Sequence, residues 1–235
     1  KTGQAIVSLE KVESGIALTN RDGAVQVYSH CIVTTGGSPK RSGLAWLEEL
    51  GHKIEEPVPS LFTFNMPGND VTELMGVVVE ETITTIQGTK LKSDGPLLIT
   101  HWGMSGPSIL KLSAFGARIL EEKSYQCKLQ VNWVNEPNQE KVRNEILTIA
   151  TEHERKLLTN YRAYDLPDRL WQHLLKNAGF QTDKRWNELG NKGINKLIEI
   201  LTNDVYEVSG KTTFKEEFVT CGGVSLESIN QQTME

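Results

Sequence analysis

The chain has 235 residues, 38% hydrophobic and 23% charged, a composition that belongs to a folded chain with one large or two small cores and not to a disordered one. Its lysines and arginines are spread among a larger number of carboxylates, the net charge is −5, and no basic block stands out, so neither nucleic acid nor an anionic membrane is expected as a partner. No apolar run approaches a membrane span, and the opening KTGQAIVSLEKVESG has no signal-peptide or transit-peptide pattern, which together read as cytoplasmic.

In chain order, the bursts AIVSLEKV, GIALTN and AVQVYS with the Asp22-Gly23 turn predict a small antiparallel meander. A buried strand is expected next, from about His30 to Thr35, broken by Gly36, Gly37, Ser38 and Pro39. GLAWLEELGHK predicts a short helix with Leu44, Leu47 and Leu50 on one face and Gly51 as its left-handed cap. From Ser60 to about Val134 the runs LFTFNM, ELMGVVVEETITTIQG, TKLKS, GPLLITHW and YQCKLQVNWV predict a small barrel or sandwich. One helix interrupts them, SGPSILKLSAFGARILEE, with Ser105 as cap, Pro107 in the first turn, and Ile109, Leu112, Phe115 and Ile119 facing the core. Residues 138–203 have helical periodicity, enough for about four helices, and the chain returns to β structure after Val205.

Four segments together resemble the BaiN/YhiN type of bacterial flavoprotein, also described as aminoacetone-oxidase-like. They are CIVTTGGSP with GHKI and PVPSLF, LLITHWGMSGPSILKLS, DVYEVSGKTTFKEEFVTCGGVSLESI, and the terminal TME. The resemblance implies an α+β multidomain fold: a β-barrel insert carrying an all-α helical subdomain, with partial strands of a Rossmann-like FAD-binding domain on either side. Residues 1–59 would be part of the FAD-binding domain, 60–137 the barrel, 138–203 the helical subdomain, and 204–235 the last insert strand and the return. The family's G-x-G-x-x-G fingerprint does not occur here, and Lys40-Arg41-Ser42-Gly43 stands where many members have a Gly-Asp-Gly element. The chain is therefore expected to be an internal piece that binds FAD poorly without the remaining halves of its own FAD-binding domain.

The implied activity is FAD-dependent oxidoreduction, with NAD(P)H as donor and a small organic molecule or oxygen as acceptor; a non-catalytic interaction module is the alternative. Thr35, Gly36, Gly37 and Ser38 are candidates for cofactor binding or for a plain tight turn. Thr220, Gly222, Gly223 and Val224 pose the same choice between flavin contact and domain-junction geometry. In the loop THWGMSGP, His101 is the candidate acid or base, and Trp102, Gly103, Ser105 and Gly106 form a substrate-side loop; a purely structural loop is the competing reading.

Among the remaining residues, Cys31, Cys127 and Cys221 lie far apart with no close Cys or His pairing, which argues against a zinc site or a disulfide framework. Cys221 reads as a small buried residue more readily than as a redox thiol. The tryptophans 46, 133, 171 and 186 read as core, and His153 and His173 as surface. The pairs Glu55-Glu56, Glu80-Glu81 and Glu216-Glu217 read as solvated strand edges.

Overall fold

The computed structural model describes residues 2–212 and 219–234. These divide into two compact units. One runs to Pro59 and resumes at 219; the other begins at Ser60 and runs to 212. Glu216-Glu217 and Glu235 lie outside the described residues.

In the first unit, β1 (Ile6–Val12), β2 (Gly15–Asn20) and β3 (Val25–Tyr28) form an antiparallel sheet in the order β1-β2-β3. This is the expected meander, with a turn at Gly23 whose φ is 81°. Gly15 (φ 140°) is required where β2 begins, because a Cβ there would lie 2.1 Å from the Tyr28 carbonyl oxygen. The anticipated buried strand at 30–35 is not one. These residues have no regular structure and are exposed, Ile32 to 86%, because none of the described strands pairs with them. The next helix, α1 (Ala45–Glu49), is preceded by a 3-10 turn at Arg41–Leu44 and followed by Gly51 at φ 92°. The strand β4 (Ile54–Ser60) contains Pro57 and Pro59, and such strands sit in edges or ribbons because proline cannot donate to a ladder.

The second unit is built on a closed six-stranded barrel. Its strands are β5 (Thr63–Asn65), β6 (Val78–Ile86), β7 (Lys92–Thr100), β8 (Gly103–Ser105), β9 (Gln126–Asn132) and β10 (Asp204–Thr212). The order around the barrel is β10-β5-β8-β7-β6-β9, every pairing antiparallel. TKLKS and GPLLITHW, read as two strands, contribute to the single strand β7. Alternation places Asp204, Tyr206 and Val208 of β10 inward, and Phe64, Ile86, Leu97, Ile99, Met104, Leu129 and Val131 fill the interior.

The helix after β8 departs from its prediction in two ways. It begins at Gly106 and Pro107, with no side-chain cap from Ser105, and it breaks at Gly116 into α2 (Pro107–Phe115) and α3 (Ala117–Glu122). A Cβ at Gly116 would lie 2.7 Å from the Leu91 side chain and 2.9 Å from the Leu112 carbonyl oxygen, so the break permits close packing. Of the expected apolar face, Ile109 and Leu112 are buried, whereas Phe115, the last residue of α2, is 79% exposed and Ile119 in α3 is exposed as well.

Residues 138–203 form three α-helices, α4 (Gln139–Glu152), α5 (Asp168–Asn177) and α6 (Gly190–Thr202), one fewer than expected, with a short 3-10 turn at Trp186–Glu188. The side chain of Asn138 caps α4 by accepting from the N–H groups of Glu140 and Lys141. The two long connections are tied together by an antiparallel bridge between Leu157 and Arg185. Val142, Ile146, Leu170, Trp171, Leu174, Trp186, Leu197 and Leu201 join the barrel residues in one continuous hydrophobic cluster. Trp171 and Trp186 stack within it at 6.4 Å.

The remaining strand, β11 (Val219–Val224), pairs with β4 in the first unit. No helix among the described residues is long and apolar enough to cross a membrane.

Candidate functional site

The two glycine-bearing segments of the first unit meet in space. A Cβ on Gly37 would lie 2.7 Å from Thr220 Oγ1, and a Cβ on Gly222 (φ 122°) would lie 2.5 Å from the Glu56 carbonyl oxygen. These two glycines are therefore needed for the close approach of one part of the chain to another. Gly36 (φ 75°) and Gly223 (φ 111°) differ: a Cβ on either would meet nothing within 4 Å. Each presents bare backbone to open space, the condition a planar cofactor requires for contact with main chain. At Gly37 and Gly222, by contrast, the space beside the backbone is taken by the protein itself.

Thr35 lies at the end of an apolar groove of about 480 Å³, lined by β1, Leu18, the segment from Cys31 to Thr35, and Trp46. Ser38 is committed to a local turn, since its hydroxyl donates to the Lys40 carbonyl at 2.8 Å. Val224 is half-buried, and the next residue, Ser225, is anchored by its N–H to the Lys53 carbonyl at 2.8 Å. Lys53 in turn pairs with Glu227 and Glu55, which hold its ammonium above its ordinary pKa. Cys31 is exposed, and Cys221 is half-buried and not in the core.

The loop containing His101 belongs to the second unit and connects β7 to β8. His101 is exposed, its ring edge-on to Trp102 at 4.3 Å. Trp102 donates from Nε1 to Thr63 Oγ1 at 3.1 Å and accepts from the Met66 N–H at 2.8 Å, which fixes the loop to the barrel rim. Gly103 and Gly106 serve the barrel. A Cβ on Gly103 would lie 2.1 Å from the Phe64 carbonyl oxygen, and one on Gly106 (φ 94°) 2.8 Å from that of Pro96. The Ser105 backbone pairs with Leu98. The His101 side chain is exposed.

Sequence reasoning missed a buried polar cluster in the same unit. Asp204, at the start of β10, accepts a hydrogen bond from Trp133 Nε1 at 2.9 Å and another from the Tyr206 hydroxyl. Burial raises the Asp204 carboxyl above the usual carboxylate range, outweighing these hydrogen bonds and the influence of His173, and burial likewise raises the Tyr206 phenol. His173, expected on the surface, is only 8% exposed because it lies on the packed face of α5; it contacts Asn177 at 2.9 Å and lies 3.9 Å from Asp70. No motif signals this cluster, because its members are scattered through the sequence. Cys127, on β9, is also driven up by burial, to about 11, and is therefore an unreactive thiol near neutrality.

A closed barrel carrying a packed helical region defines a barrel-and-helical-domain protein. Residues 58–219 match a family model described as the HI0933-like protein barrel and H2TH domain, and the chain belongs to that family. Two curated relatives are each named ribosomal RNA dihydrouridine synthase. That of Escherichia coli K12 is 28% identical over 243 aligned positions, covering 98% of this chain and 56% of the relative. That of Haemophilus influenzae is 26% identical over 212 positions, covering 87% and 50%. The chain spans about half the length of the curated relatives it matches.

These matches correct three expectations. The family is the HI0933-like one and not the BaiN/YhiN type of oxidoreductase. Neither action on a small organic acceptor or oxygen nor a non-catalytic module agrees with relatives named for a ribosomal RNA modification. The exclusion of nucleic acid as a partner falls for the same reason; it rested on charge counted along the chain, which says nothing of how cations separated in sequence gather after folding.

Proposed function

We propose that the full-length protein reduces uridine in ribosomal RNA to dihydrouridine. The observation that carries this reading is the match of nearly the entire chain to a relative of that name, supported by a second of the same name. Reduction of the uracil 5,6 double bond needs a hydride at C6, the carbon conjugated to the C4 carbonyl, and a proton at C5. A reduced flavin, when bound, supplies the hydride; FAD, recharged by NAD(P)H, completes the reading.

The protein's own groups hold and orient. The open backbones of Gly36 and Gly223, with Thr35 and Thr220 beside them, are the proposed flavin contacts, in a Rossmann-like domain of which the first unit is part. His101, exposed on its loop, is the proposed acid or base. An enzyme of ribosomal RNA would work in the cytoplasm.

Deleting the gene in its host and measuring dihydrouridine in purified ribosomal RNA by nucleoside mass spectrometry tests the reading. Loss of the nucleoside, restored by the wild-type gene, is expected. An unchanged dihydrouridine content refutes it.

A further inference from the structure

Several cations of the helical region sit beside a carboxylate, as Lys141 does with Glu136 and Arg143 with Glu140. One cluster is different. The Leu157–Arg185 bridge brings the pair Arg155-Lys156 against the pair Lys184-Arg185, which are far apart in sequence. The Trp186 N–H donates to the Lys156 carbonyl at 3.1 Å, the Leu158 N–H to the Lys184 carbonyl at 2.8 Å, and Arg185 Nη1 to the Arg155 carbonyl at 2.9 Å, so the two dibasic pairs are held side by side.

Among the described residues, Lys156, Lys184 and Arg185 form no ion pair, and Arg155 meets only its neighbour Glu154, at 3.4 Å, with its own side chain 86% exposed. The other carboxylates of these segments are Asp183 and Glu188, and Glu188 is occupied in accepting from the Arg185 N–H at 3.0 Å. Two half-buried rings lie at the same place: His153 lies against Tyr161 at 3.6 Å with the ring planes tilted by 34°, and the Lys156 ammonium sits 4.9 Å from the Tyr161 centroid. Exposed cations attract phosphates, and aromatic rings beside them are the groups on which unpaired bases stack.

We infer that this bridged surface, formed by Arg155, Lys156, Lys184 and Arg185 around the His153–Tyr161 ring pair, binds a single-stranded segment of RNA. The inference deepens the proposed function and rests on it, since RNA is favoured over an acidic protein by the relatives' named substrate. Arg155 and Lys156 supply phosphate contacts; Arg185 both contributes charge and, through its bond to Arg155, holds the two segments in place.

The test uses the full-length protein and a fluorescein-labelled RNA hairpin with a single-stranded loop, read by anisotropy over a range of salt. The Arg155→Gln/Lys156→Gln double variant is expected to bind at least about tenfold more weakly, with the slope of log affinity against log salt reduced by about 1–2. The charge-conserving Arg155→Lys/Lys156→Arg variant should bind like wild type, and so should Lys192→Gln/Lys196→Gln on exposed positions of α6. Equal melting temperatures across the set establish that folding is intact. Undiminished binding by the first variant overturns the inference, and leaves the proposed activity standing if dihydrouridine is still made in cells. Equally tight binding of poly-glutamate overturns it in favour of an acidic protein partner, and absence of RNA binding by the wild type overturns it together with RNA as the substrate.

Discussion

At the scale of single residues, glycine positions sort by what surrounds them, a distinction sequence cannot make. Gly106 and Gly36 both follow strand-like residues and both take positive φ, yet one faces the Pro96 carbonyl and the other faces open space. Gly106→Ala should therefore destabilise the protein by about 1–3 kcal/mol from backbone strain, with the clash adding to it. A urea titration showing no change would contradict the placement. Gly36→Val and Gly223→Val also strain the backbone, but their diagnostic effect is different: the purified full-length protein should lose bound flavin, seen as reduced visible flavin absorbance per protein. Retention of full flavin content by both variants removes these residues from the cofactor site.

Asp204 carries the pH prediction. Its folded pKa is raised by burial, so the folded state holds the proton more tightly than the unfolded chain does. The resulting stability is fully present below the unfolded pKa of about 4 and is lost as pH rises through the raised folded value. Asp204→Asn keeps an acceptor for Trp133 and removes the titration. Its melting temperature should decline less than that of wild type as pH rises from about 4 towards neutrality, and parallel profiles would exclude Asp204 as the source.

At the scale of elements, periodicity revealed what local order controls. The meander, the barrel strands and the helical region all announced themselves through alternation or helical spacing, as did the apolar stripe of α5 and α6. Leu174, on that stripe and fully buried, should cost about 2–5 kcal/mol when replaced by alanine. Phe115 has the same apparent role in sequence but is exposed at the last position of α2, so Phe115→Ser should change stability by less than about 0.5 kcal/mol. A large loss in chemical denaturation would show that Phe115 is packed after all. The segment 30–35 failed as a predicted strand because an apolar run specifies only a wish to be covered; strand geometry needs a neighbour, and none of the described strands supplies one. Arg155-Lys156 and Lys184-Arg185 were visible as dibasic pairs, but their convergence depends on a bridge that pairs distant residues and leaves no mark in composition.

At the scale of the whole molecule, the second unit has a core of its own, with barrel and helices sharing one hydrophobic cluster. A protein comprising residues 58–219, the span of the family match, should therefore fold alone and unfold in a single cooperative transition by circular dichroism. A broad, non-cooperative melt would show that its stability is borrowed. This unit was the most legible part of the sequence because its patterns are satisfied internally. The candidate cofactor contacts were legible only as glycine pairs, and the function was not legible, since it depends on which surface cations and open backbones come together.

The position of β10 in the chain has a consequence for synthesis. Five barrel strands leave the ribosome before α4, α5 and α6, yet β10, which follows those helices, is the strand that joins β5 to β9. Until it arrives, the nascent sheet has two raw margins with unpaired amides and carbonyls, the kind of edge on which chains stick to one another. A ribosome stalled shortly before Asp204 would thus display an open trough to passing chaperones, and the translation of β10 would convert it into a sealed cylinder.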